Sequence, residues 1–282
     1  MREIDRFKEE ILKDYPKMTR DDSFTFACHP GVSCFNNCCS DVNIFLTPYD
    51  VIRLKNRLGI SSQELLDKYT LLPFDKNLTY PIILLQMSDD DDKVCPFVGK
   101  DGCQVYEDRP WACRMYPLGM GSSKEDDDSL PDEFFFLLKE AVCKGFSEQK
   151  TQKVSEWLQD QGITEYNEMG EQFKNITLHP FFEDAKNLTP QKVEMFFLVC
   201  YNIDKFREFV FESTFFDRFE VDDDTKKKIK DDEIELLNFG YTWLRFALFG
   251  EKTMTVRSNV LADKERELKM KRKLPKTSEE KE

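Results

Sequence analysis

Nine cysteines are the residues of this 282-residue chain whose type and spacing could do chemistry. Seven fall in two short segments, Cys28-x5-Cys34-x3-Cys38-Cys39 and Cys95-Pro96-x6-Cys103-x9-Cys113, and Cys143 and Cys200 lie beyond them. Thiolate is a soft ligand that suits zinc, iron or an iron–sulfur cluster, whereas magnesium and calcium prefer oxygen. Such a site needs about four converging thiolates, at roughly 2.3 Å from a zinc ion. Pro30, Gly31 and Asn36-Asn37 allow the sharp backbone turns that convergence requires. Neighbouring side chains point apart, so Cys38 and Cys39 are poor joint ligands of one ion; they serve two sites, or one site and its wall.

The bland alternative is a free, packed thiol, and for an isolated cysteine it prevails. Cys200 is read that way, because Val193, Phe196, Phe197 and Ile203 place it on an apolar helical stripe. Seven cysteines in two segments favour metal. Other chemistries have little material. His29 and His179 are the only histidines, each beside a proline, and no glycine-rich phosphate loop is present. The runs Asp89–Asp92, Asp126–Asp128 and Asp222–Asp224 lack EF-hand spacing and read as solvated loops.

The surrounding composition narrows the class. With 41 basic and 54 acidic residues the net charge is −13, which disfavours a nucleic-acid partner bound across a broad surface. Twenty-five phenylalanines supply enough aromatic mass for a core, so a disordered chain is not expected. No apolar stretch reaches the ~20 residues of a membrane span, and the charged opening residues do not resemble a secretory signal. The expectation is a soluble cytoplasmic protein whose thiols stay reduced.

The elements that must position the cysteines follow from periodicity and capping. Ile4, Phe7 and Ile11 suggest a helix over Ile4–Lys13, and residues 24–41 an irregular loop. Val42, Ile44 and Leu46 alternate as a short strand. Thr47-Pro48-x-Asp50 caps a helix running to about Leu58 and stopped by Gly59, and Ser61–Glu64 opens another. Tyr80–Met87 reads as a buried strand, and Asp101-Gly102 as a hairpin turn before Cys103. Beyond residue 130, helices are expected at Phe134–Val142, around Val154–Leu158, around Tyr166–Phe173, from Thr189 through Val210, and along Leu237–Leu248.

Taken together, Phe26–Cys39, Leu46-Thr47-Pro48-x-Asp50, Cys95-Pro96-Phe97, Cys103-x-Val105-Tyr106-x2-Arg109-Pro110-x2-Cys113-Arg114-x-Tyr116-Pro117 and Cys143-Lys144-Gly145 resemble the YkgJ-type cysteine-cluster family. That family carries a CxxCxxCC signature and is described as zinc- or iron-chelating; many members are labelled iron–sulfur oxidoreductases. The resemblance covers roughly residues 24–146, and the first group departs from the signature in its spacings. Its closing Cys-x-Gly implies Cys143 as an eighth ligand beside Cys28, Cys34, Cys38, Cys39, Cys95, Cys103 and Cys113. Arg109 and Arg114 could donate hydrogen bonds to thiolate sulfur, or pair with Glu107 and Asp108. Tyr106, Trp111 and Tyr116 read as walls that keep water from the site.

The expected fold is mainly α with a few short strands, a cysteine-rich loop and hairpin region packed with an all-helical C-terminal half. The expected domains are a metal-binding domain over 1–146, a helical domain or extension over 147–262, and a charged tail over 263–282. The expected function is chelation of zinc or iron through an iron–sulfur cluster or zinc site, with a redox role if a cluster forms. The alternatives are a protein-modifying enzyme related to flagellin lysine N-methylases, which resemble this family in their cysteine cluster, and a metal-fastened interaction module.

Overall fold

The computed structural model describes residues 15–73, 79–121, 133–182, 187–260, 262 and 266. The expected helix over Ile4–Lys13, the Asp126–Asp128 run and nearly all of the 263–282 tail lie outside these residues. The fold is mainly α, with short antiparallel strands in small sheets. The chain forms two compact units, Met1–Asn175 and Ile176–Glu282.

The elements of the first unit run β1 (Ser23–Thr25), β2 (Phe45–Leu46), α1 (Pro48–Leu58), α2 (Ser62–Tyr69), β3 (Thr70–Leu71), β4 (Ile83–Leu85), β5 (Val98–Gly99), β6 (Gly102–Cys103), α3 (Trp111–Met115), β7 (Leu118–Gly121), β8 (Phe134–Leu137), β9 (Thr151–Lys153), α4 (Val154–Asp160) and α5 (Ile163–Thr177). The start of α1 follows from its first residues. Thr47 Oγ1 accepts from Asp50 N at 3.1 Å, while Asp50 Oδ2 accepts from Thr47 N at 2.7 Å, a reciprocal capping box ahead of Pro48. Gly59 ends the helix at φ 66°, a left-handed conformation that glycine adopts without a Cβ penalty. Apolar β4, buried at all three residues, forms the centre of the β2–β4–β3 sheet.

One core holds the ends of both cysteine segments. Phe24, Phe26, Met115, Leu118, Phe135 and Trp157 pack together, and Cys143 and Tyr116 lie partly buried against them. Phe26 is two residues before Cys28, and Met115 two after Cys113, so apolar burial delivers each segment to the same place. Strand β1 pairs with β9, joining the first cysteine loop to a segment more than a hundred residues later.

Three local expectations need correction in this unit. Phe134–Leu137 is a strand paired with Leu118–Gly121, not a helix. A short continuous apolar run does not separate the two states by period, and three consecutive phenylalanines suit a pleated, buried surface. Residues 23–25 form a strand at the edge of the expected loop. The β5–β6 hairpin turns at Lys100-Asp101, and Gly102, at φ 116°, already pairs with Gly99.

In the second unit, α6 (Pro190–Tyr201), α7 (Ile203–Glu212), α8 (Phe215–Arg218), α9 (Asp223–Asp231) and α10 (Glu233–Leu244) are followed by a π turn over Arg245–Phe249. The single helix expected from Thr189 to Val210 is two helices, broken at Asn202 with φ −119° and ψ 64°. Val193, expected on the inner stripe, is 36% exposed, whereas Phe196, Val199 and Phe206 are fully buried. Asp222 caps α9 by accepting from Thr225 N at 2.8 Å, so that acidic run is a helix start and not a loop. Among the described residues no helix is long and apolar enough to cross a membrane.

Asp50 also reaches outside its helix. Its Oδ1 accepts from Trp111 N at 2.8 Å, tying the start of α1 to the start of α3, the helix that carries Cys113. Asp50→Ala removes the cap and this long-range acceptor together, leaving buried donors unpaired. The expected loss is about 2–3 kcal/mol, read as a lower urea midpoint with an unchanged slope.

Candidate metal centre

Tight turns fold the first cysteine loop. Val32 N donates to His29 O, Phe35 N to Val32 O, Asn37 N to Cys34 O and Cys39 N to Asn36 O, at 2.9–3.0 Å. Asn36 supplies the left-handed residue, at φ 69°, from which the short 3-10 turn of Asn37–Cys39 springs. The second segment is laced to the end of this loop. Cys95 N donates to Cys39 O at 2.7 Å, Asp41 N to Lys93 O at 3.0 Å, and Ser40 bridges Val94. The hairpin closes against the same loop, because an added Cβ at Gly102 would stand 3.3 Å from Phe35 Cζ. Cys143 arrives by a third route. Ala27 N donates to Gly145 O at 3.1 Å, and Lys144 N points at Cys34 Sγ at 3.1 Å. A Cβ on Gly145 would fall 2.6 Å from Phe26 Cε2 and 2.7 Å from Ala27 O, so only glycine permits this approach.

The eight thiols gather into two neighbourhoods. Cys28, Cys34, Cys38 and Cys143 line one small apolar cavity with Phe26, Val32 and Tyr116. Cys39 feels Cys38, Cys95 and Cys113, and Cys113 feels Cys95 and Cys103. Cys38 and Cys39 thus reach different further partners while their own thiols interact with each other. Among the described residues, no three His, Cys, Asp or Glu side chains are placed closely enough to hold a metal ion as they stand. Cys200 belongs to the second unit, buried on α6, its thiol pushed up by burial alone.

Electrostatics follow from crowding thiols in a half-buried place. Burial, then Cys38, Cys34 and Cys143, pushes Cys28 up to about 11. Burial, then Cys95 and the Asp50 carboxylate, pushes Cys113 up to about 12, with Arg109 acting in the opposite direction. Burial also raises Cys95 and Cys103. The mutual influence of the adjacent Cys38 and Cys39 thiols lowers Cys38 and raises Cys39. The raised thiols, Cys28, Cys39, Cys95, Cys103 and Cys113, favour their protonated forms until a cation compensates the charge, which is the donor chemistry of a thiolate metal site.

Donation to sulfur and pairing with Glu107 or Asp108 are the two readings of the arginines, and the structure gives both side chains oxygen partners. Arg109 donates to Tyr106 O and to Gln161 Oε1, and its guanidinium covers the Tyr106 ring at 3.7 Å. Arg114 donates to Arg109 O at 3.1 Å, to Gln161 O at 2.7 Å and to Glu107 O. Neither fork ends on sulfur or on a carboxylate; Asp108 pairs with Arg53 at 2.7 Å. Arg109 instead lends charge to Cys103 and Cys113 across space. Tyr106 is 52% exposed and Trp111 donates to Asn167 Oδ1 at 2.8 Å, leaving Tyr116 as the aromatic wall of the Cys28 cavity. His29 is exposed, its Nε2 3.3 Å from Glu148 and its Nδ1 accepting from Gly31 N.

Asp50 is the site residue that spacing alone does not reveal. Its capping role is written locally in Thr47-Pro48-x-Asp50, but its place beside Cys113 depends on a contact 61 residues away. Burial raises its carboxyl to about 6 against the opposing hydrogen bonds of Thr47 and Trp111.

Residues 27–144 match a protein-family model described as "CxxCxxCC: Putative zinc- or iron-chelating domain". The matched span holds Cys28 to Cys143 and excludes Cys200. This is the family expected from the residues, and its description supports metal binding by this part of the chain. No curated protein and no solved structure matches the chain significantly.

The close approach at Gly145 can be tested directly. Gly145→Ala should cost about 1–3 kcal/mol by overpacking and speed the reaction of Cys28 and Cys143 with a thiol reagent. Gly170→Ala, where an added Cβ meets nothing within 4 Å inside α5, is the control and should be neutral or stabilising by up to about 1 kcal/mol.

Proposed function

We propose that residues 27–144 chelate zinc or iron in two adjacent four-thiolate centres. Cys28, Cys34, Cys38 and Cys143 hold one, and Cys39, Cys95, Cys103 and Cys113 hold the other. The observation that carries this reading is that Cys38 lines one cavity with Cys28, Cys34 and Cys143, while the adjacent Cys39 also feels Cys95 and Cys113. Four-cysteine donor sets suit zinc and iron–sulfur clusters alike. Bound metal supplies the positive charge that lets the crowded thiols ionise, and each ligating thiol gives its proton to solvent.

The first role of the metal in this reading is to fasten. The cysteine segments are held by turns, a two-residue-per-strand hairpin and a 3-10 turn, with few large buried side chains of their own. Cross-linking them through metal compensates for that thin core. A reducing, cytoplasmic setting keeps the thiols available. Where the occupant is an iron–sulfur cluster, electron transfer is the chemistry it adds.

Protein purified without oxygen should carry about two metal centres per chain, with a visible chromophore if they are iron–sulfur clusters and none if they are zinc. Cys103→Ala and Cys113→Ala should each lose the metal of one centre. Cys200→Ala should retain both and cost about 1 kcal/mol or less. Chelation should lower the melting temperature by several degrees. Metal-free wild-type protein, or equal metal loss in Cys200→Ala and Cys113→Ala, would overturn the ligand set.

A further inference from the structure

We infer that the two centres differ in lability: the Cys28–Cys34–Cys38–Cys143 centre releases and exchanges its metal, while the Cys39–Cys95–Cys103–Cys113 centre keeps it. This rests on the two-centre reading and adds a division of labour to it. Access is the first ground. Cys28 and Cys38 are exposed, and Val142, on the rim of their cavity, is 60% exposed. None of the second set is exposed, and the helix carrying Cys113 is fixed at its first residue by the buried Asp50.

Charge is the second ground. Four thiolates around a divalent ion leave a net charge of about −2, which nearby donors and cations stabilise. The second centre has the guanidinium of Arg109, only 7% exposed and held in place by Gln161 and the Tyr106 ring. At the first centre, among the described residues, no lysine or arginine lines the cavity. Its compensation comes from neutral donors, the Lys144 N–H at Cys34 and the Tyr116 hydroxyl beside Cys143. The Tyr116 oxygen is buried and has no hydrogen-bond partner among the described residues. Tyr116 is therefore a positioning residue, its O–H available to the Cys143 thiolate once a metal has displaced that thiol's proton. When a competing ligand removes the metal, the four thiolates take protons back from solvent.

The test uses full-length protein loaded with two zinc ions and mixed with excess chromogenic chelator. Release should be biphasic, one zinc per phase, with rates separated at least about tenfold. Iodoacetamide added after the fast phase, followed by peptide mass spectrometry, should label Cys28, Cys34, Cys38 and Cys143 first. Tyr116→Phe should speed the fast phase about two- to tenfold and leave the slow phase unchanged, a selectivity that general loosening would not produce. Arg109→Met should accelerate the slow phase alone. Because loss of a buried arginine risks misfolding, the wild-type labelling order stands as an independent reading. A single release phase, or first labelling at Cys39, Cys95, Cys103 and Cys113, overturns the inference while leaving two-centre binding intact. Failure to take up two zinc ions overturns the two-centre reading beneath it.

Discussion

Two adjacent thiols, Cys38 and Cys39, share one short 3-10 turn, and the cysteine region is organised around that pair. One short 3-10 turn presents two thiols to two neighbourhoods, so a single loop enters both. The peptide group of Cys39 does further work, its carbonyl accepting from Cys95 N and so placing the second segment against the first. Each neighbourhood is then completed by a different route, the first by the glycine-permitted approach of 143–145 and the second by the hairpin and α3.

The scaffold below the thiols is ordinary hydrophobic packing put to a positional use. Phe26 and Met115 enter one core from opposite cysteine segments, and Phe135 and Trp157 close it. The buried polar groups extend the same task. Asp50 joins α1 to α3, and Arg109 and Arg114 satisfy the carbonyls of Tyr106, Glu107, Arg109 and Gln161, where the backbone is irregular and has no ladder of its own. Arginine serves here mainly as a multi-armed donor to backbone, with its charge felt by the nearby sulfurs as a second effect.

What could be read from the residues follows the range of the interaction involved. Thr47, Pro48, Asp50 and Gly59 give both ends of α1, because capping is chemistry within four residues. Cysteine clustering points to metal, and Cys200 is distinguishable by its helical stripe, buried as that stripe implies. Phe134–Leu137 misleads because a short aromatic run has no decisive period; its strand state is set by pairing with Leu118–Gly121. The break at Asn202 interrupts a stripe whose apolar spacing continues on both sides. The partner of Asp50 and the need for glycine at 145 are tertiary facts, set by Trp111 in one case and by Phe26 and Ala27 in the other.

The pairing of β1 with β9 has a consequence in time. Thr25 meets Thr151 at a sequence separation of 126, with their hydroxyls 3.0 Å apart. At ribosomal rates of about 5–20 residues per second, the strand leading into the first cysteine loop waits on the order of ten seconds for its partner to be made. Through that interval the loop lacks its neighbouring strand, and Cys34 lacks the Lys144 amide. Completion of this region is therefore a late event in biosynthesis, and the earliest cysteines to emerge are among the last to find their final surroundings.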